Sequence, residues 1–337
     1  MPTSAFAHSL KSLVLGRGSI MAAGVAALLV LSAWPVAAQD YPAKIIRVVV
    51  PFPPGGGTDV VARILVQKLG EALKNTVIVD NIAGASGALG HEAVARAPAD
   101  GYTLLMATGS TIATNPLVSK VSWDPVKDFT PIAMLVVDPM PLVLNPSVPA
   151  KNVQELIALA KQKPGELTMA SFGTGSVPHL AGELFNVQAG TKMLHVPYKG
   201  GAQAMSDLIG GHVSLMFNSV GAVSGPLAAG KIRAIAVGAP QRNSAMPDVP
   251  TIKESGLPDF EATSWIGLFG PAKLPRPIVA RLSKELAAIL KLPDVKQRMA
   301  KMGSDISSGT PEELADVLNR DLKRWGKLVR ERNIRAE

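Results

Sequence analysis

The chain has 337 residues, with 34 basic against 26 acidic side chains for a formal charge of +8, and it contains no cysteine. Disulfides, thiol catalysis, iron–sulfur clusters and zinc–thiolate sites are therefore excluded. Aromatic residues make up 4% of the chain, and with no recognisable binding motif nucleic acid is not an expected partner.

The first acidic residue is Asp40; before it stand Lys11, Arg17, an apolar stretch over 20–34 and the small residues Val36-Ala37-Ala38. Charged, then apolar, then small is the order of a secretory leader. The apolar stretch falls short of the roughly 20 residues that span a bilayer. Residues 1–38 are thus expected to be a signal peptide cut near Ala38, so that the protein is exported. A cysteine-free chain suits an oxidising compartment. Removing 38 residues from 337 leaves 299, a length that suggests two domains. The charge without Lys11 and Arg17 is +6. This excess reads as dispersed. The densest basic run, Lys323 to Arg335, is interrupted by Glu331 and reads as a solvated helix face. A modest positive field would help draw in an anionic solute.

Along the mature chain, short β-branched runs alternate with amphipathic stretches. Residues 45–50 read as a buried strand. Over 59–73, Val60, Ile64, Leu65, Leu69 and Leu73 recur at helical spacing. A strand follows at 76–79, then a glycine-rich segment over 83–90, a helix ending near 97, a turn over 98–101 and a strand over 102–107. Strand–helix–strand–helix–strand in this order argues for a parallel sheet covered on both faces. The pattern restarts with a strand over 141–145 and a helix over 153–161, with Asn152 at its N-cap. Strands at 167–170, 193–196, 215–217 and 232–237 are interleaved with helices over 176–189 and 202–209. From 277 onward the chain reads as three helices, each with a proline near its first turn.

Two segments resemble each other: Val50-Pro51-Phe52-Pro53-Pro54-Gly55-Gly56 and Val196-Pro197-Tyr198-Lys199-Gly200-Gly201. Each runs strand, proline, aromatic, spacer, Gly-Gly, helix. In parallel α/β sheets ligands bind beyond the carboxyl ends of strands. A glycine-rich loop before a helix offers backbone N–H groups and the positive end of the helix dipole, which suits a carboxylate or phosphate. Gly55-Gly56-Gly57 lets the backbone approach a ligand without a Cβ, and Thr58 adds a hydroxyl. Tight strand-to-helix turns are the alternative use of the same glycines. Ser171-Phe172-Gly173-Thr174-Gly175-Ser176 also joins a strand to a helix, and Ser171, Thr174 and Gly175 are candidate contacts. Ser110, within Thr108-Gly109-Ser110-Thr111, is a further candidate in a segment that also suits an ordinary turn.

Enzyme signatures fail on inspection. Gly57-Thr58-Asp59 lacks the lysine of a phosphate-binding loop, and Gly84-Ala85-Ser86-Gly87-Ala88-Leu89-Gly90 has the wrong spacing for a dinucleotide fingerprint. The frame around Ser176 is not a hydrolase elbow. His91, His179, His195 and His212 form no H-E-x-x-H motif and are read as structural. No catalytic residue, metal site or cofactor is expected.

The run Val48 to Asp59 resembles the first-loop signature of the Bug, or TctC, family of periplasmic solute receptors for tripartite tricarboxylate transporters. The resemblance continues through Asn81-Ile82-Ala83-Gly84, Ala99-Asp100-Gly101-Tyr102, Asp128-Phe129-Thr130-Pro131, His195 to Gly201 and Ser264 to Pro271. Motifs in this order cover essentially the whole mature chain. The resemblance implies an α/β fold of two lobes, a Venus flytrap with two crossover strands near Leu142–Asn145 and Thr263–Gly267. It implies a first part of lobe 1 over 39–142, lobe 2 over 143–264, and a return to lobe 1 with C-terminal helices over 265–337. It further implies that a ligand carboxylate is held by Phe52, Pro54, Gly55, Gly56, Gly57 and Thr58 on one side. Tyr198, Lys199, Gly200, Gly201 and Ala202 hold it on the other. The distal end would meet Ser171, Thr174 and Asn218. Many relatives carry an acid where this chain has Asn218, so a ligand without an amine is expected, such as a di- or tricarboxylate or an aromatic acid. The expected partners are that small carboxylate and the membrane subunits of a transporter, with the receptor a monomer and not an enzyme. A receptor feeding a periplasmic sensor, or an exported enzyme using the same cleft, are the alternatives.

Overall fold

The computed structural model describes residues 41–307 and 309–336; the expected leader, 1–38, lies outside them. Tyr41–Ala43 are irregular. Residues from Lys44 onward make one compact unit, built on two sheets.

The first sheet contains β1 (Ile46–Val50), β2 (Val77–Asn81), β3 (Thr103–Thr108), β4 (Phe129–Pro139), β10 (Thr263–Pro271) and β11 (Asp305–Ile306), in the order β11-β4-β10-β3-β1-β2. The second contains β5 (Pro141–Leu144), β6 (Thr168–Ser171), β7 (Leu194–Pro197), β8 (Leu215–Phe217) and β9 (Arg233–Val237), in the order β7-β6-β8-β5-β9. The helices are α1 (Gly57–Leu73), α2 (Ala88–Ala95), α3 (Asn115–Val118), α4 (Val153–Gln162), α5 (Val177–Ala189), α6 (Gly201–Gly210), α7 (Val220–Ala228), α8 (Arg276–Ile289), α9 (Pro293–Lys301) and α10 (Pro311–Glu331).

The strand directions place the loops. β10 runs antiparallel to both β3 and β4, so β3 and β4 run the same way, and β1 and β2 are parallel to β3. β4 ends at Pro139, where the chain leaves for the second sheet. β5 leads away from that crossing, and β8 runs antiparallel to it and so returns. β6 and β7 are parallel to β8. The carboxyl ends of eight strands, β1–β4 from the first sheet and β6–β9 from the second, therefore all point toward the crossing, from opposite sides.

The crossing is made at Met140, two residues before the expected stretch, and again at Ala262, one residue before it. There Gly238 donates to the Met140 carbonyl at 2.9 Å and Ala262 to the Gly238 carbonyl at 2.6 Å. Leu142–Leu144 lie wholly in the second sheet and Thr263–Gly267 wholly in the first. The sequence pattern does not announce β4. Its run Ile132 to Val136 is apolar without alternation, because the strand is buried throughout that span and loses the period-2 signature.

Local signals work as physical chemistry requires. The Asn152 side chain accepts from the Glu155 amide at 2.9 Å and caps α4. The Thr310 hydroxyl does the same for α10 through Glu313, and Pro311 occupies the first turn. α10 buries Leu314, Leu318, Trp325, Leu328 and Val329, each side chain stabilising the fold by about 1.5–3 kcal/mol relative to exposure. Three of the six basic residues in the C-terminal run are paired: Arg324 with Asp321 at 2.8 Å, Arg332 with Glu183 at 2.8 Å, Lys327 with Glu331 at 3.8 Å. Among the described residues no helix is long and apolar enough to cross a membrane.

Candidate functional site

In both sheets the parallel strands have the same order, second–first–third: β2-β1-β3 and β7-β6-β8. Each has a topological switch point beside its central strand, where α/β sheets bind ligands. The segments after β1 and β3, Pro51–Gly56 and Gly109–Thr114, lie at the first switch point. The segments after β6 and β8, Phe172–Ser176 and Asn218–Ser219, lie at the second. The resemblance between 50–56 and 196–201 is therefore not the structural repeat. The mate of Pro51–Gly56 is Phe172–Ser176, and the Tyr198 loop is the mate of Ile82–Gly87. Sequence similarity and topological equivalence part here because strand order is set by pairing, which loop composition does not record.

Pro51–Gly56 is held from below. The Asp59 carboxylate accepts from the Gly55 amide and from Arg63 Nε, both at 2.9 Å, and from Asn81 Nδ2 at 2.9 Å. Asn81 Nδ2 also donates to the Phe52 carbonyl at 3.0 Å. Asp59 is buried. The Arg63 hydrogen bond, opposed by desolvation and helped by Gly55 and Asn81, holds its carboxyl down to about 2. This brace was not legible as a site, since Asp59 reads as an ordinary first-turn acid.

With Gly55 engaged, the amides of Gly57 and Thr58 remain as donors at the start of α1, because the helix ladder begins with Val60 to Gly56. A Cβ at Gly55, Gly57 or Gly200 would meet no protein atom within 4 Å. Gly55 has φ +88°, which itself favours glycine. Gly57 and Gly200 have no such conformational reason: the first is helical and the second is extended. The Thr58 hydroxyl has no hydrogen-bond partner among the described residues.

The second lobe's loops contact one another. Tyr198 N–H donates to the Ser171 carbonyl at 3.1 Å, and a Cβ on Gly201 would come within 2.9 Å of the Phe172 ring. Ser171 is fully buried. Its hydroxyl bonds Gly173 N and O at 3.1 Å each and His195 Nε2 at 2.6 Å, so it supports the loop from inside. The half-buried Thr174 is at the loop's surface. His195 stacks on His179, centroids 3.6 Å apart and planes within 12°. Gly175 N–H donates to His179 Nδ1 at 3.0 Å. Burial depresses both imidazoles to about 4. The expected structural role fits these contacts; Phe172 and the histidine stack went unnoticed as loop supports.

Tyr198 Oη donates to Asp207 at 2.7 Å, and burial followed by that carboxylate pushes the phenol up to about 12. Lys199 and Ala202 are exposed. Asn218 follows β8 and is 3% exposed; its Oδ1 accepts from Ser219 N at 2.8 Å, while its Nδ2 has only Met216 Sδ at 4.0 Å. Ser110 reaches across the lobes, its hydroxyl accepting from Val177 N–H at 3.5 Å. No hydrogen bond joins Phe52–Thr58 to the second lobe among the described residues. No group of three or more His, Asp or Glu there could hold a metal ion.

Two α/β lobes with opposed switch points, glycine loops at both, and a two-strand crossing between them define a two-lobed solute-binding protein. The chain belongs to the tripartite tricarboxylate transporter family receptors, TctC, which it matches over residues 61–334. Protein BugT of Bordetella pertussis (strain Tohama I) is 36% identical over 314 residues, covering 93% of this chain and 94% of its own. Two solved relatives carry ligands. R. palustris Rpa4515 with adipate is 35% identical, with a TM-score of 0.78 over 88% of this chain and 99% of that one. MatC from Rhodopseudomonas palustris with bound malate is 32% identical, with a TM-score of 0.75 over 86% and 100%.

Proposed function

We propose that this chain is a periplasmic receptor that closes its two lobes on a small carboxylate and passes it to the membrane subunits of a tripartite transporter. The observation that carries this reading is the open space at Gly57 and Gly200. Neither packing nor dihedral angle requires glycine there, so the room is for something the protein does not itself supply. The free amides of Gly57 and Thr58, at the positive end of a 17-residue helix, suit a carboxylate. Ligand bound between the lobes stabilises the closed arrangement over the open one. Adipate and malate in the two solved relatives are both amine-free dicarboxylates, and the uncharged Asn218 offers no counter-ion to an ammonium group. A di- or tricarboxylate or an aromatic acid is the proposed ligand class. Ordered water can bridge the carboxylate to the loops, and such contacts need not be weak.

The test is a thermal-shift panel of C4 to C6 dicarboxylates, citrate, aromatic acids and acidic amino acids. A ligand at a hundredfold excess over Kd stabilises by about 2.7 kcal/mol. The reading is overturned if neutral sugars or amines shift the melting point and no acid does. Response to aspartate or glutamate alone would overturn the ligand class while leaving the receptor intact.

A further inference from the structure

The +6 of the mature chain is gathered after all. Residues 273–301 hold eight basic and two acidic side chains, a net +6, so everything else sums to zero. This stretch is α8, α9 and their flanks. Their inner faces are spent on packing: Leu282, Leu286 and Ile289 from α8, Val295 and Met299 from α9, are buried, and α8 lies against α1 and β4. The basic side chains are all exposed. Both acids are already paired, Glu285 with Arg281 at 2.9 Å and Asp294 with Lys68 of α1 at 3.1 Å. Among the described residues Arg276, Lys284, Lys291, Lys296, Arg298 and Lys301 have no ion-pair partner. Leu292, 37% exposed, stands between the helices. Arg298 and Lys301 suit the carboxyl end of the α9 dipole, but Arg276, Lys284, Lys291 and Lys296 stand in no helix's last turn and have no such reason.

We infer that the outer face of α8–α9 is a docking surface for an anionic phospholipid membrane. Positive charge spread over two helices fits a diffuse anionic plane; Lys296 also lines a small cleft, but Asp305 in the same lining disfavours a single carboxylate or phosphate there. The two helices belong to lobe 1, and only the Lys296 end of α9 borders the second lobe, across a cleft shared with Ser244 and Ala245. Lys68 lies eleven residues into α1, about 16 Å along the helix from the glycine loop, so contact at Asp294 does not report whether the lobes are closed. A protein partner that reads closure would need to touch both lobes. Such a surface holds the receptor beside the membrane, loaded or empty. This rests on the proposed periplasmic location but not on the carboxylate reading.

The test uses the chain as recovered from the periplasm, its intact mass confirming loss of the leader, in flotation with phosphatidylglycerol-containing vesicles and with phosphatidylcholine vesicles. Partition into the anionic vesicles only is expected, lost at about 1 M salt, where the screening length is about 3 Å. The variant Lys284→Gln/Lys291→Gln/Arg298→Gln should partition more than tenfold less, at about fivefold per neutralised residue. Its melting point should match wild type. The equal charge change Lys151→Gln/Lys161→Gln/Lys192→Gln on lobe 2 should have little effect. Adding a carboxylate that shifts the melting point should leave partition unchanged. Equal loss in both triples, equal binding to both vesicle types, or binding that appears only when an acidic membrane protein is present overturns the proposal. A null thermal-shift panel beside intact anionic partition would sink the carboxylate reading alone.

Discussion

Asp59→Asn is a sharp test of how the first glycine loop is held. One buried carboxylate accepts from Gly55, Arg63 and Asn81. A carboxamide of the same shape offers one oxygen, and its NH2 must then face at least one N–H donor. Losing a hydrogen bond to a charged group costs about 1.5–3 kcal/mol when the partner is buried. Arg63 is 55% exposed on its side chain, so solvent screens its pair with Asp59 and it adds nothing to this figure. The loss at the buried donors sets a fall in Tm of about 5 °C for a chain of this size. The pH dependence gives a second readout. The folded carboxyl, at about 2, titrates below its ordinary 3.8, so its stabilisation is whole above the unfolded value and is lost as pH falls toward the folded one. Wild type and variant should differ by a constant amount above about pH 4 and converge below it. Thermal unfolding across that range, with carboxylate titration at neutral pH, supplies both measurements. An unchanged Tm, or a gap that persists undiminished to low pH, refutes the brace.

Gly57→Ala should leave stability unchanged or raise it by a few tenths of a kcal/mol, since Ala is the better helix former. Affinity for the responding carboxylate should fall at least tenfold; calorimetric titration showing equal Kd values would reduce the loop to a turn. His91 and His179, both buried, are depressed from 6.5 to about 4. Their stabilisation is therefore complete above the unfolded value and is lost as pH falls toward the folded one. Each contributes about 3 kcal/mol across that window, and a Tm that stays flat from about pH 7 to 4.5 would contradict their burial as neutral groups.

Much of the architecture was legible along the chain. The strand–helix alternation over 45–107 and 141–237, the Asn152 cap and the proline-started helices all reflect local burial period and local hydrogen bonding. β4 was missed because a strand buried throughout loses alternation. Within the candidate site, Gly55, Gly57 and Gly200 were readable as composition. Ser171 was readable as a hydroxyl near the cleft but not as one turned inward to His195. Asp59 was invisible as a brace, because Asn81 is 22 positions away and meets it only through the pairing of β1 with β2.

From the sequence alone followed the α/β class, the glycine loops before helices, the absence of thiol chemistry and the size of the positive excess. Only the tertiary structure decided which loops are mates, how the first loop is braced and where the charge sits. Periodicity and composition report what each residue does with its neighbours a turn or a pleat away. Strand order, the partners of Asp59 and the sharing of a face by α8 and α9 depend on contacts between distant segments. The two glycine-rich segments that looked alike in sequence thus stand at non-equivalent strands, and Phe172–Ser176, which resembles neither, is the true counterpart of the first.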